Sequence, residues 1–288
     1  MKIGATVVNM DCEAMARESM EYLVENTSDD SLVFLTDNGS LNYVEDHPDY
    51  QILRISQNDG INLIWYKMRT YLEENNVDVL VCGHADFFIV EKNWDLKVKQ
   101  AFEEDDKLIL AGFVGSPGIG GNGGRTHGVY LNFMGNTYRN GVGSPHTVHG
   151  SRLEGIKPAG CFDHCCMIYK VDAFDIMKGF YSYPPPPMHF EDRFLPTAAN
   201  YNGFHCAIIG VDCDHTSGAK ATGMENYNNA VKRWLDKEGM KHPEDGNYDR
   251  AAYLEAEKQF LTEWRDNLSF IPFHVRPDYT VMTRAKLS

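Results

Sequence analysis

Short apolar runs alternate with stretches of helical periodicity through the first third of the chain. Residues 3 to 8 (IGATVV) form an apolar run that ends on Asn9 and Asp11, followed by a helical pattern through Met15, Met20, Leu23 and Val24. The run LVFLT at 32 to 36 stops on Asp37-Asn38-Gly39-Ser40, a tight-turn sequence in which glycine tolerates positive φ and Asp/Asn bond local amides. QILRI at 51 to 55 leads to Asn58, Asp59 and Gly60, and then to a predicted helix over 61 to 74 with Ile61, Ile64, Trp65, Met68 and Leu72 on its apolar side. VDVLVCG at 77 to 83 is nearly all apolar. Continuous apolar strands between amphipathic helices predict βαβ units around a mostly parallel sheet, an α/β fold buried on both faces. Ligands of such sheets sit at the carboxyl ends of the strands. The polar residues gathered there are Asn9, Asp11, Asp37, Asn38, Asn58, His84 and Asp86.

The pattern continues with a helix from Trp94 to Glu104 and a strand at 108 to 115. Residues 115 to 150 are rich in Gly, Asn, Ser and His without periodicity, which predicts a long loop over the site, its glycines at 115 to 124 a mobile lid. GxGxxG at 118 to 123 lacks the following amphipathic helix of a dinucleotide fingerprint. Beyond it the sequence predicts a strand at 161 to 170, a helix from Val171 to Gly179 and a polyproline segment at 184 to 187. A helix led by Glu191-Asp192, a strand at 205 to 215, helices near 223 to 239 and 248 to 266 and an irregular tail complete the reading.

Composition narrows the class. The 288 residues are 43% hydrophobic and 24% charged, a globular balance that excludes a disordered or fibrous chain. A net charge of −14 argues against attraction to nucleic acid or anionic lipid by the molecule as a whole. The opening MKIGATVVNMDCEAM meets Asp11 and Glu13 before an apolar core develops, so no signal peptide is read. No run approaches the ~18 apolar residues of a membrane span, and a cytoplasmic protein is expected. Seven cysteines, an odd number, read as buried thiols; the cluster Cys161, His164, Cys165, Cys166 lacks paired zinc knuckles and reads as a structural strand.

The candidate chemistry lies in His84-Ala85-Asp86 at one strand end, Glu191-Asp192 at a helix start, and Asp212-Cys213-Asp214-His215 at another strand end. His84, Asp86 and His215 are the residue types that ligate a divalent cation while leaving positions open for phosphate oxygens and water. Taken singly, each has a plainer reading: an Asp after a strand caps a turn, and acids at a helix start favour its dipole.

Their order resembles a known family. VVNMD, LTDNGS, QNDGIN, VLVCGHADFFIVEKNWD, AGFVGS, GCFDHCCMIYKVDAFDIMKGF and HFEDRFLPTAANYNGFHCAIIGVDCDHTSG, over roughly residues 1 to 220, resemble a family 2-type glycosyltransferase of the glycosyltransferase-A (GT-A) fold. The resemblance implies a catalytic domain over 1–220, with a donor half at about 1–115, an acceptor half at about 150–220, and a C-terminal helical extension over 221–288. It implies a nucleotide pocket from Val8, Asn9, Asp11, Asp37, Asn38, Asn58 and Gly60. The family's Asp-x-Asp metal motif stands here as His84-Ala85-Asp86, so one carboxylate is replaced by histidine and less of a divalent charge is neutralised. His215 resembles the C-terminal ligand to Mn²⁺ or Mg²⁺, Asp192 the catalytic base, and Glu191 its orienting neighbour. His189, Tyr181, Tyr183 and Pro184 to Pro187 are candidate acceptor contacts. The implied donor is a UDP-, GDP- or dTDP-sugar, and the acceptor a glycan or other hydroxyl, a nucleic acid being disfavoured by charge. Two alternatives stay open: a nucleotidyltransferase, although no basic glycine-rich turn follows the first strand, and a non-catalytic nucleotide-sugar-binding protein on the same scaffold.

Overall fold

The computed structural model describes residues 1–42, 44–122, 125–131, 134–138, 152–216, 223–268 and 273–283. Its first half runs β1 (Ile3–Asn9), α1 (Glu13–Asn26), β2 (Leu32–Asn38), β3 (Gln51–Ile55), α2 (Ile64–Lys67), α3 (Arg69–Glu74), β4 (Val79–His84), β5 (Phe87–Ile89), α4 (Trp94–Glu104) and β6 (Leu108–Gly112). Four short strands follow, β7 (Val114–Ser116), β8 (Gly118–Asn122), β9 (Arg125–Leu131) and β10 (Met134–Tyr138). The second half contains β11 (Ile156–Pro158), β12 (Cys161–Phe162), β13 (Cys166–Lys170), α5 (Phe174–Lys178), α6 (Glu191–Tyr201), β14 (His205–Ile209), β15 (Asp212–His215), α7 (Met224–Lys237), α8 (Tyr248–Leu261), β16 (Phe273–Val275) and β17 (Val281–Thr283).

The central sheet has eight strands in the order β11-β14-β6-β13-β4-β1-β2-β3. Its β4-β1-β2-β3 half is parallel throughout, as is the β14-β6 pair, whereas β13 and β11 pair antiparallel. The strand period of two sorts side chains onto two faces. Ala5, Val7, Val79 and Val81 pack with Ala16, Met20 and Leu23 of α1 and Trp94 and Val98 of α4. Phe34, Leu80 and Cys82 pack on the other face with Trp65, Met68, Leu72, Phe174 and Leu195. Helices thus cover both faces, which is why these strands read as continuous apolar runs.

Departures from the predicted elements have local causes. The helix expected over 61 to 74 starts only at Ile64, after Leu63 turns left-handed at φ 65°, and is divided into two short pieces at Met68, where ψ opens to −9°. The expected strand over 161 to 170 splits around a turn at 163–165, and that over 205 to 215 splits at Gly210-Val211. The expected lid is not a loop over its described part: β7 joins a five-stranded sheet and β8 a four-stranded one. Gly115 makes this possible, since a Cβ there would lie 2.4 Å from the Cys161 carbonyl oxygen of the neighbouring strand. Residues 123–124, 132–133 and 139–150 of that expectation lie outside the described residues. The tail is not irregular either, for β16 and β17 pair with each other and β16 reaches β8. A π-helical stretch, Thr262–Asn267, replaces the end of the last predicted helix.

The proline segment is held against the loop after β3. Ile61 and Asn62 both donate their amides to the Pro187 carbonyl, at 2.7 and 3.2 Å, and the Asn62 side chain donates to the carbonyls of Pro186 and His189. Gly60 has φ +100°, and a Cβ there would lie 2.0 Å from the Pro187 oxygen. Gly60→Ala is therefore expected to cost about 2–5 kcal/mol, combining left-handed strain with overpacking. Gly239→Ala, at φ +64° with nothing near its Cβ, should show the conformational cost alone. Urea unfolding of both variants checks this, and equal losses would refute the clash.

Candidate functional site

Parallel pairing sets the strand ends side by side. Val8 registers with His84 and Asn9 with Asp37, so the β1, β2 and β4 ends open onto one cavity of about 260 Å³. Its apolar walls are Val8, Met10, Cys12, Ile61, Ala85 and Met188, and its polar groups are Asn38, His84, Asp86 and His215. His215 arrives from the far end of the sequence because β15 pairs antiparallel with β5, placing it opposite Phe87, while the Thr216 amide bonds the Asp86 carbonyl at 3.1 Å.

The structure brings His84, Asp86 and His215 together around this cavity. His215 Nε2 lies 3.6 Å from Asp86 Oδ1. His84 Nε2 is buried without a hydrogen-bond partner, and burial first, then the nearby His164, pushes its pKa down to about 4, so the imidazole is neutral and its lone pair available. One carboxylate and two imidazoles form a donor set better suited to Mn²⁺ than to Mg²⁺, which prefers oxygen. Among the described residues no group of three or more His, Cys, Asp or Glu side chains is arranged to hold a metal ion. A cation here would need oxygens from its ligand to complete its shell.

At the other end, of the seven residues expected in a nucleotide pocket, Val8 and Asn38 line the cavity. The others build the loops around it. Asn9 bonds Ser40 Oγ and the Cys12 amide, and Asp37 accepts from the Ser40 amide. Asp11 accepts from the amides of Leu41 and Asn42 and from Asn226 of α7. Asn58 bonds Asn38, the Gly60 amide and Asn226, while Gly60 sits beneath Pro187. Met10, Ile61 and Met188 escaped the sequence reading because apolar cavity walls look like core; Asn226 had no motif to mark it.

The acids stand apart from the cavity lining. His189 and Phe190, consecutive left-handed residues at φ 75° and 62°, turn the chain into α6, so Glu191 and Asp192 open that helix. Glu191 is 1% exposed. Its Oε1 accepts from Trp65 Nε1 at 2.9 Å, Tyr181 Oη at 3.0 Å and the Leu63 amide at 3.2 Å, and its Oε2 meets His164 Nε2 at 3.0 Å. A carboxylate so engaged orients its neighbours. Burial disfavours charge on His164, yet the hydrogen bond and charge of Glu191 outweigh it and raise its pKa. The His164 ring stands edge-on to His84 at 5.3 Å between centroids, linking the acids to the cavity. The reading of 161 to 170 as one strand concealed this histidine; its place in the 163–165 turn is what aims it at Glu191. Asp192 is buried beside Arg193, 3.3 Å away. The candidate acceptor contacts are engaged internally: Tyr183 with the Gln259 carbonyl and His189 with Asp249 at 2.9 Å. All seven cysteines are buried free thiols, as expected.

Solved structures are similar to this chain at low identity. The crystal structure of GalNAc-T7 with UDP, GalNAc and Mn²⁺ matches at a TM-score of 0.50 and 10% identity, over 93% of this chain and 57% of that one. This chain therefore spans little more than half of the GalNAc-T7 chain. The crystal structure of S. aureus TarS 1-349 matches at a TM-score of 0.46 and 14% identity, over 93% of this chain and 74% of that one. No protein-family model matches the sequence, and no curated protein does. The fold is α/β of the GT-A type, a large central sheet flanked by helices. Among the described residues no helix is long and apolar enough to cross a membrane.

Proposed function

We propose that the chain is a glycosyltransferase of the family 2 type, moving a sugar from a nucleotide-sugar donor to an acceptor hydroxyl with inversion and with a divalent cation. The observation that carries this reading is the single cavity at the strand ends, with Asn38 among its walls and His84, Asp86 and His215 gathered around it. The GT-A likeness to a protein solved with UDP, GalNAc and Mn²⁺ supports it.

A bound Mn²⁺ or Mg²⁺ supplies charge stabilisation to the departing diphosphate. His84, Asp86 and His215 would hold it. Asn38 and the apolar walls seat the nucleoside, and Asp192 takes the proton that the acceptor hydroxyl loses as it attacks the anomeric carbon. Glu191 positions the start of α6 by gathering the Leu63, Trp65, Tyr181 and His164 donors.

Thermal unfolding with UDP, GDP and dTDP and their sugar esters, each with Mn²⁺, tests the reading. A ligand at 100 times its Kd should stabilise by about 2.7 kcal/mol. Absence of a shift with all of them would remove the donor assignment.

A further inference from the structure

Beside the proline segment lies a second, small cavity of about 10 Å³, walled by Asn62, Glu191, the apolar side chains of Pro185, Phe194 and Ala256, and Gln259 of α8. Two oxygens on its walls, Asn62 Oδ1 and Gln259 Oε1, are buried and meet no hydrogen-bond donor among the described residues. Asn62 is 6% exposed, and its orientation is not open to reversal. Its Nδ2 donates to the Pro186 carbonyl at 2.8 Å and to the His189 carbonyl at 3.1 Å, and a carbonyl only accepts, so Oδ1 is left as the free acceptor. The donors on the same walls are engaged elsewhere. Tyr181 Oη donates to Glu191 at 3.0 Å, Tyr183 Oη to the Gln259 carbonyl, and His189 Nε2 is paired with Asp249 at 2.9 Å. Glu191 already gathers four donors and offers none.

A buried amide oxygen is ordinarily paired with protein or with ordered water, and leaving it bare is costly. An apolar void of this size would stay dry, but a polar one holds water when it has the room and the partners, and about 10 Å³ is the space of a single molecule. We propose that the cavity binds one resident water, which donates one hydrogen to Asn62 Oδ1 and the other to Gln259 Oε1. Such a bridge is nearly as favourable in enthalpy as a direct hydrogen bond. It gives α8 a polar hold on the stretch that carries Asn62, added to the apolar packing of Ala256 and Phe260 with Phe190 and Phe194. The site lies on the Glu191 side of the molecule, and the inference goes beyond the donor reading and does not depend on it.

Deuteron magnetic relaxation dispersion of the full chain, which counts waters held for longer than the protein takes to tumble, tests this. Gln259→Met keeps the length of the side chain and removes its acceptor, and should lose one long-lived water relative to the wild type. Gln259→Glu keeps an acceptor oxygen and carries no N–H, and should retain the wild-type count. An unchanged count in Gln259→Met, or the same loss in both variants, would overturn the site. Should Gln259→Met fail to fold, a crystal structure of the wild type carries the test. Density for one water within about 3.2 Å of both oxygens is the expected result. A Gln259 amide turned so that Nε2 donates directly to Asn62 Oδ1, or a cavity without density, would refute it.

Discussion

Asp192→Asn is expected to lower kcat by about 10² to 10⁴, the usual yield of general base catalysis, while donor affinity stays near that of the wild type. The substitution keeps size and polarity and removes the carboxylate's charge, and with it the ability to take a proton. Its surroundings favour a clean result: Asp192 is buried in the first turn of α6 next to Arg193, whose guanidinium is in turn 4.9 Å from the Phe190 ring centre, so the side chain is held from a neighbour that an amide can still bond. Asp192 also does not line the cavity that would take the nucleotide, so binding and proton transfer are separable there. Loss of kcat without loss of donor affinity marks an interaction made in the transition state. Steady-state kinetics with saturating donor, paired with UDP titration of the same variant, provides the check. A folded Asp192→Asn protein with near wild-type turnover would shift the role to another group or to a mechanism without such a base.

Asp86→Ala and His215→Ala are each expected to weaken nucleoside diphosphate binding in Mn²⁺ by at least about 100-fold, because on the proposed reading each would remove one of the three side chains that hold the cation. The two side chains stand 3.6 Å apart, so deleting either also releases the other from this contact. The effect should vanish when metal is withheld, since both variants and the wild type would then bind the diphosphate equally weakly. Calorimetry with UDP and GDP, with and without Mn²⁺, reads all four cases. Unchanged affinity in the presence of metal would sink the ligand assignment.

The parallel half of the sheet was legible because β1, β2 and β4 are buried on both faces, so every position had to be apolar and the polar residues could only collect at the strand ends. The same logic exposed Asn38, His84 and Asp86, residue type at a later strand end marked His215, and the resemblance added Val8. It failed between residues 114 and 138. The short strands there are rich in Gly, Ser and Asn and carry too few apolar residues, such as Val114 and Ile119, to set up an alternation, so their pattern is that of a loop. It failed again wherever a residue matters through a distant partner: Asn226 bonds Asp11 across 215 positions, and His164 reaches Glu191 across 27. Such pairings follow from how α7 and the 163–165 turn are placed, which local periodicity does not encode.

The stretch from Asn58 to Trp65 runs from the Asn38 end of the cavity to Glu191 at the start of α6. Asn58 and Gly60 fix Asn38, Ile61 walls the cavity, Asn62 holds the carbonyls of Pro186 and His189, and Leu63 and Trp65 bind Glu191. The spacing between the Asn38 end of the cavity and the acid pair is therefore a single dimension, set by eight consecutive residues and not by the summed tolerances of separate loops. Any length change within that stretch alters reach and alignment together, and variation in ligand size has to be absorbed elsewhere, as at Met188 in the cavity wall.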